Sequence, residues 1–75
     1  MSVRDVLVSI QPLEGGWRMD CSAGLEPIVF GSGAKAEAQA HALARKLARA
    51  GADARVEVHD RGHRLVGTTR YFADG

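Results

Sequence analysis

The chain has 75 residues, of which 45% are hydrophobic, 25% charged and 5% aromatic, and its formal net charge is +1. A chain of this size buries only about 60% of its unfolded surface, so we expect one small domain, residues 1–75, and no deep catalytic cleft. The charge is unevenly distributed, because residues 1–34 carry a net −2 and residues 35–75 a net +3. This polarity is the compositional hint of a partner.

The sequence also bears on the cell compartment. The longest apolar runs are three residues, whereas a membrane-spanning helix needs roughly 20. Residues 1–5 have no basic region leading into an apolar stretch, so we expect no signal peptide. Cys21 is the one cysteine and cannot form an internal disulfide. We therefore expect a cytoplasmic protein of bacterial type, with no membrane segment and no sulfur-based metal or redox motif.

The first part of the chain predicts three strands. Residues 6–11 alternate and are rich in β-branched side chains, which favours a strand, and Pro12 is predicted to end it because proline has no amide hydrogen to donate. A turn at residues 14–16 leads into residues 17–21, which alternate again. Residues 27–30 form a short third strand, which its leading proline suits to a sheet edge. One face of the second strand carries Trp17, Met19 and Cys21.

A helix is predicted over residues 34–50, which are rich in alanine. Ser32 is the expected N-cap, and Gly51 is expected to end the helix in the left-handed conformation. Only two leucines lie on the stripe that we expect to be buried, so the helix must approach the sheet closely. This stripe consists of Ala36, Ala40, Leu43 and Leu47.

The remaining residues predict a β-hairpin and complete the fold. Residues 55–59 and 64–72 form its strands, and the turn between them, residues 60–63, is expected to place Gly62 in the left-handed conformation. The element order β-β-β-α-β-β predicts an α+β fold, with a single mixed or antiparallel sheet and one helix packed on one face. A right-handed crossover through the helix predicts the strand order 3-2-1-4-5.

Several short segments follow one another in the order seen in a known family. They are residues 8–12 (VSIQP), 14–19 (EGGWRM), Phe30, 36–38 (AEA) and 56–62 (VEVHDRG). Together they resemble a family of small bacterial domains of unknown function, over residues 6–71. The resemblance implies a stand-alone module with this fold and brings no catalytic motif. The chain departs from the family pattern in the longer insertion at residues 22–27 and in His63.

A second resemblance is carried by residues 31–38, GSGAKAEA. This segment is similar to the antitoxin half of the HicAB toxin–antitoxin pair, in which a strand, a Gly-Ser turn and an Ala-Glu-Ala helix belong to a partial ribonuclease-H-like sheet. The DNA-binding helices that usually accompany that fold are missing from this sequence. The resemblance therefore implies a shared topology more than an antitoxin function.

The chemistry-bearing residues do not form a catalytic set. His59, Asp60 and His63 supply two imidazoles and a carboxylate within five residues, which makes His59 and His63 candidate metal ligands. The alternative, which we favour, is a solvated hairpin tip. No nucleophile is spaced to work with them, so we predict no catalytic residue, metal or cofactor. Cys21 and Trp17 share a strand face with Met19 and are interpreted as core residues.

Basic residues supply the candidate contact site. Arg45, Lys46 and Arg49 lie on the helix away from its leucines, and Arg55 adds a positive charge on the fourth strand. These four residues could contact a partner or bind nucleic acid, since phosphates require clustered Lys and Arg. Alternatively, cations near a helix C-terminus complement its dipole.

The sheet face opposite the helix suggests a function. It carries Leu7, Val29 and Val66 among polar side chains, a mixture that could face water or pair with a second copy. We therefore predict a small non-enzymatic interaction module that self-associates or docks a protein partner. A nucleic-acid binder of low sequence specificity, acting through the basic helix face, is the alternative.

Overall fold

The strands and the helix occur in the predicted order. The computed structural model describes residues 4–74. Residues 1–3, on which the expected absence of a signal peptide partly rests, and residue 75 lie outside the described residues. The elements are β1 (Asp5–Leu13), β2 (Gly16–Cys21), β3 (Ile28–Phe30), α1 (Gly33–Arg49), β4 (Asp53–His59) and β5 (Leu65–Tyr71).

The five strands form one mixed sheet in the order β3-β2-β1-β4-β5. Strands β1 and β4 pair in parallel, and the other neighbouring pairs are antiparallel. This arrangement follows from α1, which carries the chain across one face of the sheet between the parallel strands β3 and β4. The predicted α+β class and strand order are confirmed.

The core lies between α1 and the two central strands. Val6, Val8 and Ile10 of β1 and Val56 of β4 are at most 2% exposed. The helix meets them with a row of buried alanines: Ala36, Ala40, Ala44 and Ala48. The prediction of a buried stripe is thus right for Ala36 and Ala40, but Leu43 and Leu47 are only half-buried and flank the row. A methyl group lets the helix backbone approach the sheet, whereas a leucine at the centre would hold it away.

The predicted helix caps are both present. The Ser32 side-chain Oγ accepts a hydrogen bond from the backbone amide of Lys35 at 3.3 Å. Gly51 follows the helix with a φ of 97°, a conformation that glycine adopts without strain. These local signals place the helix boundaries within one residue of the prediction.

The prediction that Pro12 ends the first strand is wrong. Strand β1 continues to Leu13, and Pro12 lies opposite Trp17 of β2. The pairing of β1 with β4 extends only to Ile10. Beyond that residue β1 has a neighbour on one side only, and proline is tolerated where a strand forms an edge.

The turn between β4 and β5 also differs from the prediction. His63, not Gly62, has the left-handed backbone, with a φ of 61°. The Asp60 side-chain Oδ1 accepts hydrogen bonds from the amides of Gly62 at 2.8 Å and Arg64 at 3.0 Å. These two bonds fix the turn, and His63 takes the conformation that the turn requires.

We expect His63→Gly to raise the free energy of unfolding by about 0.5 kcal/mol, because a side chain in the left-handed region costs about 1–2 kcal/mol and glycine's greater freedom when unfolded offsets part of the gain. His63→Val should lower it by at least about 1 kcal/mol, since branching at Cβ worsens the strain. Urea denaturation of both variants measures the effects. If both variants lose the same free energy of unfolding, the imidazole stabilises the turn and backbone strain at His63 does not lower its stability.

Candidate functional site

The face of the sheet opposite α1 is mainly polar. Arg18 Nε lies 2.9 Å from Asp20 Oδ2, and Arg55 Nε lies 3.4 Å from Glu57 Oε2. Leu7 is half-buried among these side chains. A face with charges of both signs, paired with each other, is suited to water and provides little apolar area for a partner.

The large exposed apolar side chains lie near the two edges of the sheet, and Val29 is on the polar face as predicted, opposite Arg18 in the register of β2 and β3. Leu25, Ile28 and Val29 are near β3, and Leu65, Val66 and Phe72 are within or next to β5. Each of these six side chains is at least 49% exposed. The apolar area available for an interaction is therefore at the edges.

The two edge strands differ in how well they are protected. β3 has three residues and follows Pro27, and short edge strands and prolines both hinder pairing with another chain. β5 has seven residues and no proline, and its first six residues are exposed. It pairs with β4 on one side, and no strand within residues 4–74 pairs with its other side. A bulge opposite Val58 and His59 leaves Gly67–Tyr71 as its regular stretch.

The four predicted contact residues do not form one surface. Arg45 and Arg49 line a cavity of about 180 Å³ together with Tyr71 and Phe72. Lys46 lines a different groove, between α1 and β2. Arg55 lies on the polar sheet face beside Glu57. The structure therefore brings together two of the four, and it adds two aromatic residues that the sequence analysis did not assign to a site.

The cavity beside Arg45 and Arg49 is built from α1 and the end of the chain. Ala48 and Asp74 complete its lining. The amide of Asp74 donates to the carbonyl oxygen of Ala48 at 3.0 Å, which holds the end of the chain against the helix. On the same side, the Tyr71 hydroxyl lies 2.7 Å from His41 Nδ1 and links β5 to α1.

The groove on the other side of α1 has a volume of about 210 Å³. Its lining is mostly apolar and includes one cation, Lys46, and one anion, Glu26. Cys21 lies on the same sheet face as Met19, as predicted, but it is half-buried in the wall of this groove and not buried in the core. The lining residues are Met19, Cys21, Leu25, Glu26, Ile28, Gln39, Ala42, Leu43 and Lys46.

The candidate metal ligands are separated by their local contacts. His59 Nδ1 lies 3.1 Å from the carbonyl oxygen of Ile10, and His63 is exposed in the turn. Within the described part of the chain, no three His, Cys, Asp or Glu residues are placed to hold one metal ion. His59 is thus positioned by a contact with a backbone carbonyl, and His63 by its place in the turn.

Trp17 has a structural position at one end of the helix. A Cβ on Gly33 would lie 3.2 Å from Trp17 Cε2, so the indole packs closely on the start of α1. The guanidinium carbon of Arg61 lies 4.5 Å from the centre of a Trp17 ring, and Arg61 Nη1 donates to the Leu13 carbonyl oxygen at 2.6 Å. Trp17 thus joins both hairpins to the helix, and Arg61 is a contact that the sequence analysis missed.

Among the described residues, no helix has the length and apolar character needed to cross a bilayer. Comparison of the chain with protein-family models, with curated proteins and with solved structures finds no match. The resemblances to the small bacterial domain family and to the antitoxin stay predictions.

Proposed function

We propose that this protein is a small, non-enzymatic interaction module that self-associates through the outer edge of β5. The observation that carries the proposal is the less protected of the two edges: a strand of seven residues without a proline, with one bulge, whose outer side pairs with no strand within residues 4–74. A strand edge of this kind is a template for pairing with another strand. In a domain of 75 residues, such pairing adds burial that the monomer lacks.

A second copy fits this edge because β5 is complementary to itself. We place the two-fold axis at Thr69, so that the regular stretches Gly67–Tyr71 of the two copies pair in antiparallel orientation. Gly67 then lies opposite Tyr71 of the partner subunit, and the pair has no steric conflict because glycine has no side chain. Thr68 lies opposite Arg70 of the partner subunit, so no two arginines meet directly. Both helices are on the same side of the resulting ten-stranded sheet.

The same edge would accept an extended strand of another protein. We favour a second copy because the chain itself supplies a strand of matching length and side-chain pattern. A cytoplasmic, bacterial setting is part of the proposal: the single, unpaired Cys21 supports a reducing compartment, and the bacterial origin rests on the resemblance to the small bacterial domain family.

The Thr68→Lys variant tests both the edge and the register. The introduced lysine faces Arg70 of the partner subunit in the proposed pairing, while Glu57 lies opposite it within its own sheet and preserves the fold. We expect the dimer dissociation constant to rise by about tenfold or more. Adding Arg70→Glu to the same chain should restore association, because each lysine then faces a glutamate. Sedimentation velocity over a concentration series measures all three proteins.

Ala38→Lys is the matched control, since it adds the same charge on the exposed side of α1. It should associate as the wild type does. A wild-type protein that remains monomeric up to about 500 μM would refute self-association, because a dimer weaker than this gains less than about 5 kcal/mol. Weaker association of Thr68→Lys without rescue by Arg70→Glu would refute the register centred on Thr69.

A further inference from the structure

We propose that the cavity formed by Arg45, Arg49 and Phe72 binds single-stranded nucleic acid, with a backbone phosphate on the two guanidinium groups and a base stacked on the phenyl ring. The proposed site is smaller than the basic surface predicted from the sequence, because Lys46 and Arg55 lie elsewhere. It goes beyond self-association and does not depend on the pairing of β5.

Two arginines of α1 give the cavity its positive charge. Arg45 and Arg49 are four residues apart on α1, so their side chains lie on the same side of the helix, and both line the cavity. Like charges at this spacing destabilise a helix by a few tenths of a kcal/mol. Of the three ion pairs within residues 4–74, none includes Arg45 or Arg49. Asp74 also lines the cavity, but its carboxylate forms an ion pair with neither arginine, so the two positive charges remain for a phosphate to neutralise.

The helix dipole accounts for only part of this arrangement. A cation near a helix C-terminus gains about 0.3–1 kcal/mol whichever side of the helix it occupies. The dipole therefore gives a reason for basic residues in the last turns, but none for the placement of two of them in one cavity with aromatic side chains. Lys46, on another side of the same turn, lines the groove toward β2 and shows that the helix end allows other placements.

An exposed aromatic residue also lines the cavity. Phe72 lines the same cavity and is 66% exposed, the highest value among the six exposed large apolar side chains described above. The guanidinium carbon of Arg70 lies 5.7 Å from the centre of its ring and brings a third positive charge close to it. An exposed ring next to clustered arginines is the combination with which proteins hold unpaired bases.

The size of the cavity favours a polymer over a free small molecule. Its volume of about 180 Å³ is below the range of about 300–1,000 Å³ that encloses small ligands. A nucleotide would be held on one side only, which is sufficient when neighbouring nucleotides of the same strand add further contacts. Double-stranded nucleic acid does not offer a base face to Phe72, since its bases are stacked in the helix.

Fluorescence anisotropy with labelled oligothymidylate, oligouridylate and a DNA duplex of equal length tests the proposal. The protein is kept at low concentration, so that self-association does not contribute. We expect single strands to bind more tightly than the duplex, and the two single-stranded arms decide between DNA and RNA. Phe72→Ala should weaken single-strand binding by about fivefold or more without changing its salt dependence. Its site is exposed, so the fold should be unaffected.

The arginines are tested by charge reversal with a matched control. Arg45→Glu together with Arg49→Glu should weaken binding by more than tenfold and reduce the slope of log affinity against log salt by about 0.7, which corresponds to the one phosphate held by the two guanidinium groups. Lys35→Glu together with Arg64→Glu changes the net charge equally at two exposed positions outside the cavity, and it should have a much smaller effect. Equal effects of the two double variants, or no binding of either single strand at low salt, would overturn the proposal.

Self-association and nucleic-acid binding can fail separately in these experiments. The Thr68→Lys variant, which lacks the proposed dimer contact, should still bind single strands as the wild type does at low protein concentration. Loss of binding in this variant would show that the site requires the dimer, which would contradict a site complete within one chain.

Discussion

Replacing Ile10 with alanine should lower the free energy of unfolding by about 2–5 kcal/mol, the range for large-to-small changes in a core. Ile10 is 0% exposed and belongs to the core between the sheet and α1. The total stability of a domain of this length is about 4–11 kcal/mol, so the variant should lose a large part of it. Urea denaturation should show a lower midpoint with an unchanged slope.

Leu7→Ala is the control for this change. Leu7 lies in the same strand on the polar face and is only half-buried, so its truncation should cost less than half as much as that of Ile10. Equal costs for the two variants would contradict a core confined to the helix side of the sheet. The comparison should be made at low protein concentration, because association would add to the apparent stability.

Enlarging Ala40 to leucine should destabilise the domain by about 1–3 kcal/mol or more, although leucine is a good helix former. Ala40 is 0% exposed and packs in the same core as Val8 and Val56. The extra carbon atoms have no space unless α1 moves away from the sheet, which would loosen the contacts of the whole alanine row. The midpoint of thermal unfolding should fall by roughly 4–8 °C per kcal/mol.

Ala38→Leu makes the same chemical change on the exposed side of α1 and should alter stability by no more than about 0.5 kcal/mol. A stable Ala40→Leu variant with an unchanged circular dichroism spectrum would contradict the close approach of helix and sheet. Both variants replace an alanine of α1 with leucine, so helix propensity changes equally in both. The difference between their free energies of unfolding therefore measures the effect of packing.

The topology was predictable because its signals are local and agree with one another. Alternation in β1 and β2, the serine cap, the glycine after the helix and the crossover rule all point to one strand order. The buried stripe was assigned less well, because leucine dominates any estimate of hydrophobicity. The actual row of alanines is selected by the short distance between helix and sheet, which is a property of the assembled fold.

Two local errors have different causes. The effect of Pro12 depends on where β4 stops pairing with β1, and this is decided by residues more than 40 positions away. The left-handed residue of the last turn depends on which amides the Asp60 side chain binds. Glycine is the usual choice for that conformation, but the hydrogen bonds place His63 in it instead.

The candidate sites were only partly predictable. The sequence identified Arg45 and Arg49 as basic helix residues, but their proximity to Tyr71 and Phe72 arises because β5 and the end of the chain return to α1. Nothing in the local sequence indicates this contact. The exposed edge likewise depends on β5 being the last strand of the sheet, and it requires the strand order before it can be recognised.

Backbone amide hydrogen exchange at low and high protein concentration tests pairing through β5 most directly. If two copies pair there, protection within Leu65–Tyr71 should increase with concentration, in alternate residues whose amides point outward, while protection in Ile28–Phe30 should not change. Exchange in β5 that is independent of concentration, or an increase in protection confined to β3 or α1, would contradict the account.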